Sequence, residues 1–149
     1  MDSALKQASS PHLEVEHPWV SNDEMPVYRW TFPEEATDDE VLACLEARRD
    51  WALRANYPVA WIVDCSRVKK VTATQRQAFA EHIEWFAPHD ERWNAGSALV
   101  VPNRWLQGMV TAIFWFSKPG CPHKTFTQAA DAEAWARNQL ATRLASPQH

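Results

Sequence analysis

Glycine is scarce in this sequence, with three residues in 149. Neither a G-x-G-x-x-G nor a G-x-x-x-x-G-K pattern occurs, so no loop has the glycines with which backbone amides wrap a nucleotide phosphate. A G-x-S-x-G elbow is also missing, and that turn exposes the nucleophilic serine of α/β-hydrolases. The sequence therefore excludes dinucleotide-binding and P-loop enzymes of the usual kind, and hydrolases of that type.

Cysteine is equally sparse. Cys44, Cys65 and Cys121 are widely spaced and form no C-x-x-C pair, which argues against a disulfide framework and a structural zinc site and predicts reduced thiols. The six histidines form neither H-x-x-x-H nor H-E-x-x-H. No metal site is therefore predicted, and no cofactor is assigned.

Neither a strong charge nor a long apolar run marks the chain. The net charge is −4 and the isoelectric point is near 5.8, without the basic stripe that binds nucleic acid. No apolar run approaches the roughly 20 residues of a membrane span, and the N-terminus shows no signal or transit pattern. We therefore expect a cytoplasmic protein with no membrane span and no nucleic-acid partner.

Tryptophan is the residue in excess, with nine against two tyrosines. Rings of this size supply large contact areas, and some of them are expected to face a partner. The 149 residues match the size of one domain. We predict a single domain at residues 12–144, between polar tails at 1–11 and 145–149.

Five segments have β character. Residues 12–17 and 27–32 alternate apolar and polar side chains, and a loop at 18–26 is rich in turn formers. Two further segments are continuous apolar runs, typical of strands covered on both faces, and the fifth is short; the three are PVAWIVD, GSALVVP and HKTF. An N-terminal β pair at one edge of a sheet is predicted, with PVAWIVD at its centre.

Four segments have helical periodicity. Glu40 and Gln75 each stand three residues after the N-cap of the first and second helices and complete capping boxes. Pro88 is expected to end the second helix. The predicted N-caps of the four helices are Thr37, Thr72, Asn103 and Thr127.

The resulting order, β-β-α-β-α-β-α-β-α, alternates strands and helices after the first pair. Such units have right-handed crossovers and form a mostly parallel sheet with helices packed on it. The predicted fold class is α/β, with a sheet of four to five strands and about four helices.

The segment VAWIVDCSRVKKVTATQRQAF, residues 59–79, resembles the STAS domain of bacterial anti-sigma factor antagonists. An apolar strand runs into D-x-S-x-V before a capped helix, and SALVVPNRWLQGMVTAIFWF is similar to the family's next strand and helix. The resemblance covers residues 12–144. It implies a STAS-like fold and non-enzymatic regulation through a protein partner, such as an anti-sigma factor-like kinase, or through a homodimer.

The resemblance does not carry the family's phosphorylation switch. In the family, a kinase phosphorylates a serine at the start of the helix, and the added charge breaks the complex. Ala73 stands at that position here, between Thr72 and Thr74. A phosphate on either threonine would meet a helix N-terminus, which favours negative charge, so either residue is a candidate substitute.

The edge of the sheet after the central strand is one candidate binding region. Open parallel sheets place ligand sites at this end of their strands, although Asp64 and Ser66 also suit a hydrogen-bonded turn. The basic residues that follow suit a phosphate or an acidic partner, or form a solvated loop. The assigned residues are Asp64, Ser66, Arg67, Lys69, Lys70, Thr72 and Thr74.

The third predicted helix, residues 104–116, is the other candidate region. Its apolar side chains cover far more than the stripe that packs on a sheet. Soluble monomers rarely expose large apolar patches, so the surplus predicts contact with a second chain or an apolar ligand, with a buried core helix as the alternative. The assigned side chains are Trp105, Met109, Ile113 and Phe116.

Three functions remain open from the sequence. A non-enzymatic regulatory interaction domain leads. A carrier of a small apolar ligand or lipid is the alternative, with tryptophan-rich faces lining a pocket. An enzyme that uses Cys65 or Asp64 ranks last, because no base beside a nucleophile can be identified.

Overall fold

A computed structural model describes residues 11–146, so most of both predicted tails, residues 1–10 and 147–149, lie outside the described residues. The elements are β1 (Val20–Glu24), β2 (Val27–Thr31), α1 (Asp38–Ala52), β3 (Val59–Asp64), α2 (Ala73–Trp93), β4 (Asn94–Val100), α3 (Arg104–Phe116), β5 (His123–Phe126) and α4 (Ala129–Ala145). This order confirms the predicted α/β class with five strands and four helices.

The sheet has the strand order β1-β2-β3-β4-β5. β1 and β2 pair antiparallel, and every other pair is parallel. β3 lies at the centre, as its apolar sequence predicts, and its first four residues are buried. The helices α1 to α3 make the connections that parallel strands require.

The two faces of the sheet are covered unequally. Trp61 and Val63 face the side on which α1, α2 and α3 lie. Ala60 and Ile62 alternate with them and face the opposite side. That side is covered by α4, through Ala132, Ala136 and Leu140.

The first strand lies in the segment that the sequence predicts as a loop. The sequence pattern predicts the first strand at residues 12–17, but β1 is Val20–Glu24. The side chain of Asn22 accepts a hydrogen bond from the Val15 amide at 2.8 Å and donates one to the Val15 carbonyl at 3.1 Å. Val15 is nevertheless buried in the core. The apolar pattern of residues 12–17 therefore reflects the burial of an irregular segment and not strand pairing.

The local helix-start signals are largely confirmed. The hydroxyl oxygens of Thr37 and Thr72 accept from the amides three residues on, at 3.1 and 3.0 Å, and both capping boxes are complete. The Asn103 side chain caps α3 by accepting from the Leu106 amide at 2.8 Å. The predicted Thr127 cap is wrong: Gln128 holds the N-cap position of α4 and makes no side-chain cap hydrogen bond.

The prediction that Pro88 ends the second helix is also wrong, because α2 continues to Trp93. Proline removes one hydrogen bond from a helix interior and strains the preceding turn. Here both flanking turns are anchored in the protein, since Phe86 and Asp90 are buried. The His89 ring also lies 2.9 Å from the Ala55 carbonyl oxygen. Tertiary packing therefore offsets the local penalty.

Helix α3 is the most apolar of the helices, yet Leu106 is its only buried residue. No helix within residues 11–146 has the length and apolar character needed to cross a membrane. The apolar side chains of α3 other than Leu106 are at least partly exposed.

Candidate functional site

An apolar cavity of about 170 Å³ lies on the sheet face covered by α1, α2 and α3. Its volume is comparable to that of an engineered apolar cavity of roughly 150 Å³ that binds benzene. It has room for one ring or a short alkyl chain. Its main apolar lining is Phe32, Val63, Leu99, Phe79, Ile83, Phe86, Leu106, Met109, Val110, Ile113 and Phe114.

Helix α3 spans this cavity and is tied down at its two ends. Near its start, the Gln107 side-chain amide donates to the Val101 carbonyl at 3.0 Å. After its end, the Ser117 hydroxyl donates to Glu84 on α2 at 2.8 Å. None of the residues between these ties is buried, since Leu106, the one buried residue of α3, comes just before the first tie. A helix with few buried contacts opens locally more easily than the rest of a fold, which gives a small molecule a route inward.

A buried arginine lines the same cavity. Arg48, on α1, is 6% exposed. Its guanidinium carbon lies 4.3 Å from the ring centroid of Trp30 and 4.2 Å from those of Trp61 and Phe86. Among the residues that the structure describes, none forms an ion pair with it. Burial lowers the pKa of Arg48 to about 10, so the guanidinium is charged at neutral pH.

His82, on α2, contacts this guanidinium. Its Nε2 lies 2.6 Å from Nη1 of Arg48. A guanidinium only donates hydrogen bonds, so Nε2 accepts and the ring proton is on Nδ1. Burial lowers the pKa of His82 well below its usual value, with Arg48 acting in the same direction, so the ring is neutral. Neither Nδ1 of His82 nor Nε of Arg48 has a hydrogen-bond partner within residues 11–146.

Asp90 and Gln75 are the other buried polar residues that line the cavity. Asp90 accepts a hydrogen bond from the Asn94 side chain at 3.0 Å, and burial raises its pKa although the charge of Arg48 opposes this. Gln75 completes the capping box of α2 and donates to the Ala36 carbonyl at 2.8 Å. Gln75 therefore holds the helix start in place, and Asp90 is a carboxylate whose charge affects Arg48.

The predicted site residues after β3 form a turn. The Ser66 amide donates to Asp64 Oδ1 at 2.9 Å. This is the hydrogen-bonded turn that the sequence also allows for these two residues. Cys65 is 9% exposed, and burial, with a contribution from Asp64, raises its pKa to about 12. The thiol is protonated at neutral pH, so the geometry does not favour it as a nucleophile.

The basic residues of this loop lie at the surface. Lys69 Nζ is 3.4 Å from Glu34 Oε1, with both side chains largely exposed. Arg67 and Lys70 are exposed as well, and Lys70 reaches the rim of the cavity. An exposed pair of this kind contributes little to stability.

The two candidate threonines differ in their surroundings. The Thr72 hydroxyl accepts from the Gln75 amide and donates to Asp38 Oδ1 at 3.0 Å. A phosphate there would remove both contacts and face a carboxylate. Thr74 is exposed in the first turn of α2. Of the two, Thr74 offers the more accessible hydroxyl.

The four α3 residues assigned from the sequence divide between two environments. Met109 and Ile113 line the cavity, whereas Trp105 is 51% and Phe116 is 85% exposed. Trp115, which was not assigned, is 78% exposed. Some apolar side chains of α3 therefore line the cavity, and three of its aromatic side chains are exposed to solvent.

The sequence assignment missed Arg48 and His82, although a signal was present. Arg48 follows Cys44 by four residues and Val41 by seven, and so falls on the apolar stripe of α1. His82 falls in the same way between Phe79 and Phe86 on α2. A polar residue within an apolar stripe marks a buried polar group, which needs a partner.

Fold and cavity together define the class: an α/β domain with a mostly parallel sheet and an apolar cavity that contains a buried cation. Comparison with protein-family models, with curated proteins and with solved structures gives no match. The resemblance to STAS domains therefore stays a prediction. Within residues 11–146 no three histidine, cysteine or acidic side chains cluster as metal ligands would.

Proposed function

We propose that this protein binds a small, mainly apolar molecule in the cavity beneath α3, and that it acts in the cytoplasm without catalysing a reaction. The observation that carries the proposal is the cavity itself, whose lining is mainly aliphatic and aromatic. Ligand sites in proteins are typically apolar pockets with a few placed polar groups. Arg48 and His82 are such groups here.

The energetics of packing support an occupant. Protein interiors are close-packed, and an empty cavity costs about 24 cal/mol per Å³. The cavity of about 170 Å³ is only partly enclosed, so its cost is below what this rate gives for a sealed cavity. A ligand that fills the space recovers part of this free energy as contact with the lining.

The test compares two neighbouring residues of α3. Val110 lines the cavity, and Thr111 is exposed; both are β-branched, and each is changed to Phe. Titration calorimetry with 1-octanol is expected to show saturable binding to the wild type and to Thr111→Phe, and none to Val110→Phe because the added ring occupies the cavity. Equal binding to both variants, or a wild type that binds no octyl compound, neutral or charged, would contradict the proposal.

A second candidate function rests on the solvent side of α3. Trp115 and Phe116 are exposed at its C-terminal end and Trp105 near its start, and exposed aromatic side chains are typical of protein-interaction surfaces. We propose that this side binds a protein partner, either a second copy of the chain or a kinase of the anti-sigma factor type, as the resemblance to STAS domains implies. Regulation by phosphorylation would then act at Thr74.

Sedimentation and pull-down experiments test this second function. The double change Trp115→Ser and Phe116→Ser is expected to abolish self-association or kinase binding. Leu53→Ser is the matched control, since Leu53 is 74% exposed but lies at the C-cap of α1. A wild-type chain that stays monomeric and binds no such kinase would contradict this function and leave the cavity proposal intact.

A further inference from the structure

The charge of Arg48 is not balanced at close range. Its guanidinium is buried and makes no ion pair within the described part of the chain. A buried charge is unfavourable unless it is paired and hydrogen-bonded. Asp90 lies close enough to affect the guanidinium electrostatically but beyond ion-pairing distance, and its carboxylate is already bonded to Asn94.

The unpartnered polar atoms of Arg48 and His82 are both donors. Arg48 Nε carries a hydrogen that nothing in residues 11–146 accepts. His82 Nδ1 also carries a hydrogen without an acceptor in this range, because Nε2 of the same ring accepts from Arg48. Buried donors without acceptors are rare in folded proteins. Both donors therefore favour a ligand with an acceptor atom, and the positive charge favours an anionic one.

The way in which Arg48 is held suits a carboxylate. Three aromatic rings surround its guanidinium carbon at 4.2–4.3 Å. Aromatic faces stabilise the cation but accept none of its in-plane N–H bonds. The planar fork of a guanidinium matches the two oxygens of a carboxylate, which gives stronger hydrogen bonds than a neutral acceptor does.

We propose that the ligand is a small apolar carboxylate, whose ring or short alkyl chain fills the cavity and whose carboxylate accepts hydrogen bonds from Arg48 and His82. This inference rests on the proposed function, since it names the chemical class that the cavity takes. The size of the cavity, about 170 Å³, excludes a long-chain lipid as an enclosed occupant.

The test compares three molecules with the same alkyl chain: octanoate, 1-octanol and octylammonium. At neutral pH octanoate is ionised. Calorimetry on the wild-type protein is expected to give a dissociation constant about tenfold or more lower for octanoate than for 1-octanol, with octylammonium weakest. Equal affinities, or a preference for either of the other two, would overturn the inference while the proposed function stands. If none of the three binds, the proposed function itself fails.

Variants then assign the preference to the buried groups. Arg48→Gln is expected to bind octanoate no better than 1-octanol while 1-octanol binding is kept. Asp90→Asn removes a negative charge near the site and is expected to bind octanoate as tightly as the wild type or more tightly. If Arg48→Gln does not fold, His82→Phe, which keeps the ring volume, is expected to reduce the preference severalfold. An unchanged preference in the folded variants would refute the assignment to Arg48 and His82.

Discussion

Two glycine substitutions are expected to change stability in opposite directions. A Cβ atom at Gly108, within α3, meets no atom within 4 Å beyond its chain neighbours and the adjoining helix backbone. Glycine in an exposed helix interior is less favourable than alanine by about 0.8–1.0 kcal/mol, so Gly108→Ala should stabilise the protein by about that amount. A Cβ atom at Gly120 would lie 2.3 Å from the Ala87 carbonyl oxygen. Because that atom is backbone, Gly120→Ala must displace α2 or its own loop, at a cost of about 1–3 kcal/mol.

The assay is thermal unfolding followed by circular dichroism, with the wild type as reference. For a chain of this length, about 1 kcal/mol corresponds to a shift in Tm of about 2–4 °C. We expect Gly108→Ala to raise Tm and Gly120→Ala to lower it. A lowered Tm for Gly108→Ala would refute the placement of residue 108 in an open helix position. If Gly108→Ala changes only the hydrogen-exchange protection of α3, that helix opens separately from the rest of the fold.

Two further predictions concern α2. Thr72→Ala removes the N-cap and the hydroxyl contact with Asp38, and denaturant unfolding should show a loss of about 1–2 kcal/mol. His82→Gln should weaken the fall in stability on acidification. Because the folded pKa of His82 is lowered, the unfolded chain binds the proton more readily as pH falls below about 6.5, and stability is lost there. Glutamine keeps an acceptor for Arg48 and does not titrate; an unchanged pH profile would contradict this.

The elements with local signals were predictable from the sequence. The capping boxes at Thr37 and Thr72 and the cap at Asn103 depend on residues three positions apart, and all three are present. The predicted segments 104–116 and HKTF match α3 and β5. Such features need no knowledge of distant contacts, because each is a hydrogen-bonding problem solved within one turn of chain.

The predictions that failed depend on contacts that are distant in sequence. Residues 12–17 have a strand-like pattern but form an irregular segment that packs against the core. Tyr28 and Tyr57 hold this segment through hydrogen bonds to the backbone of Leu13. Pro88 has the local signal of a helix terminator, but α2 continues through it because buried residues anchor the helix on both sides. In both cases tertiary packing overrides the local preference, and a single sequence contains no local record of it.

The sequence predicts that α3 has more apolar side chains than packing on the sheet requires. It does not predict which of them line the cavity and which are exposed to solvent. Ile113 and Phe116 lie nearly on one side of the helix by their spacing, yet Ile113 lines the cavity and Phe116 is 85% exposed. The position of the cavity decides which residues face inward, and the cavity exists only where three helices meet the sheet. Sequence periodicity gives the relative direction of side chains and not what they meet.

Arg48 was partly predictable from the sequence and partly not. Its position on the apolar stripe of α1 predicts burial. Only the fold shows that three aromatic rings surround it and that no carboxylate within residues 11–146 pairs with it. An apolar side chain of similar length would fill the same space without the desolvation cost of the charge. The charge therefore has no purpose in packing alone. The proposed anionic ligand would balance this charge and would accept hydrogen bonds from Arg48 Nε and His82 Nδ1, which have no acceptor within residues 11–146.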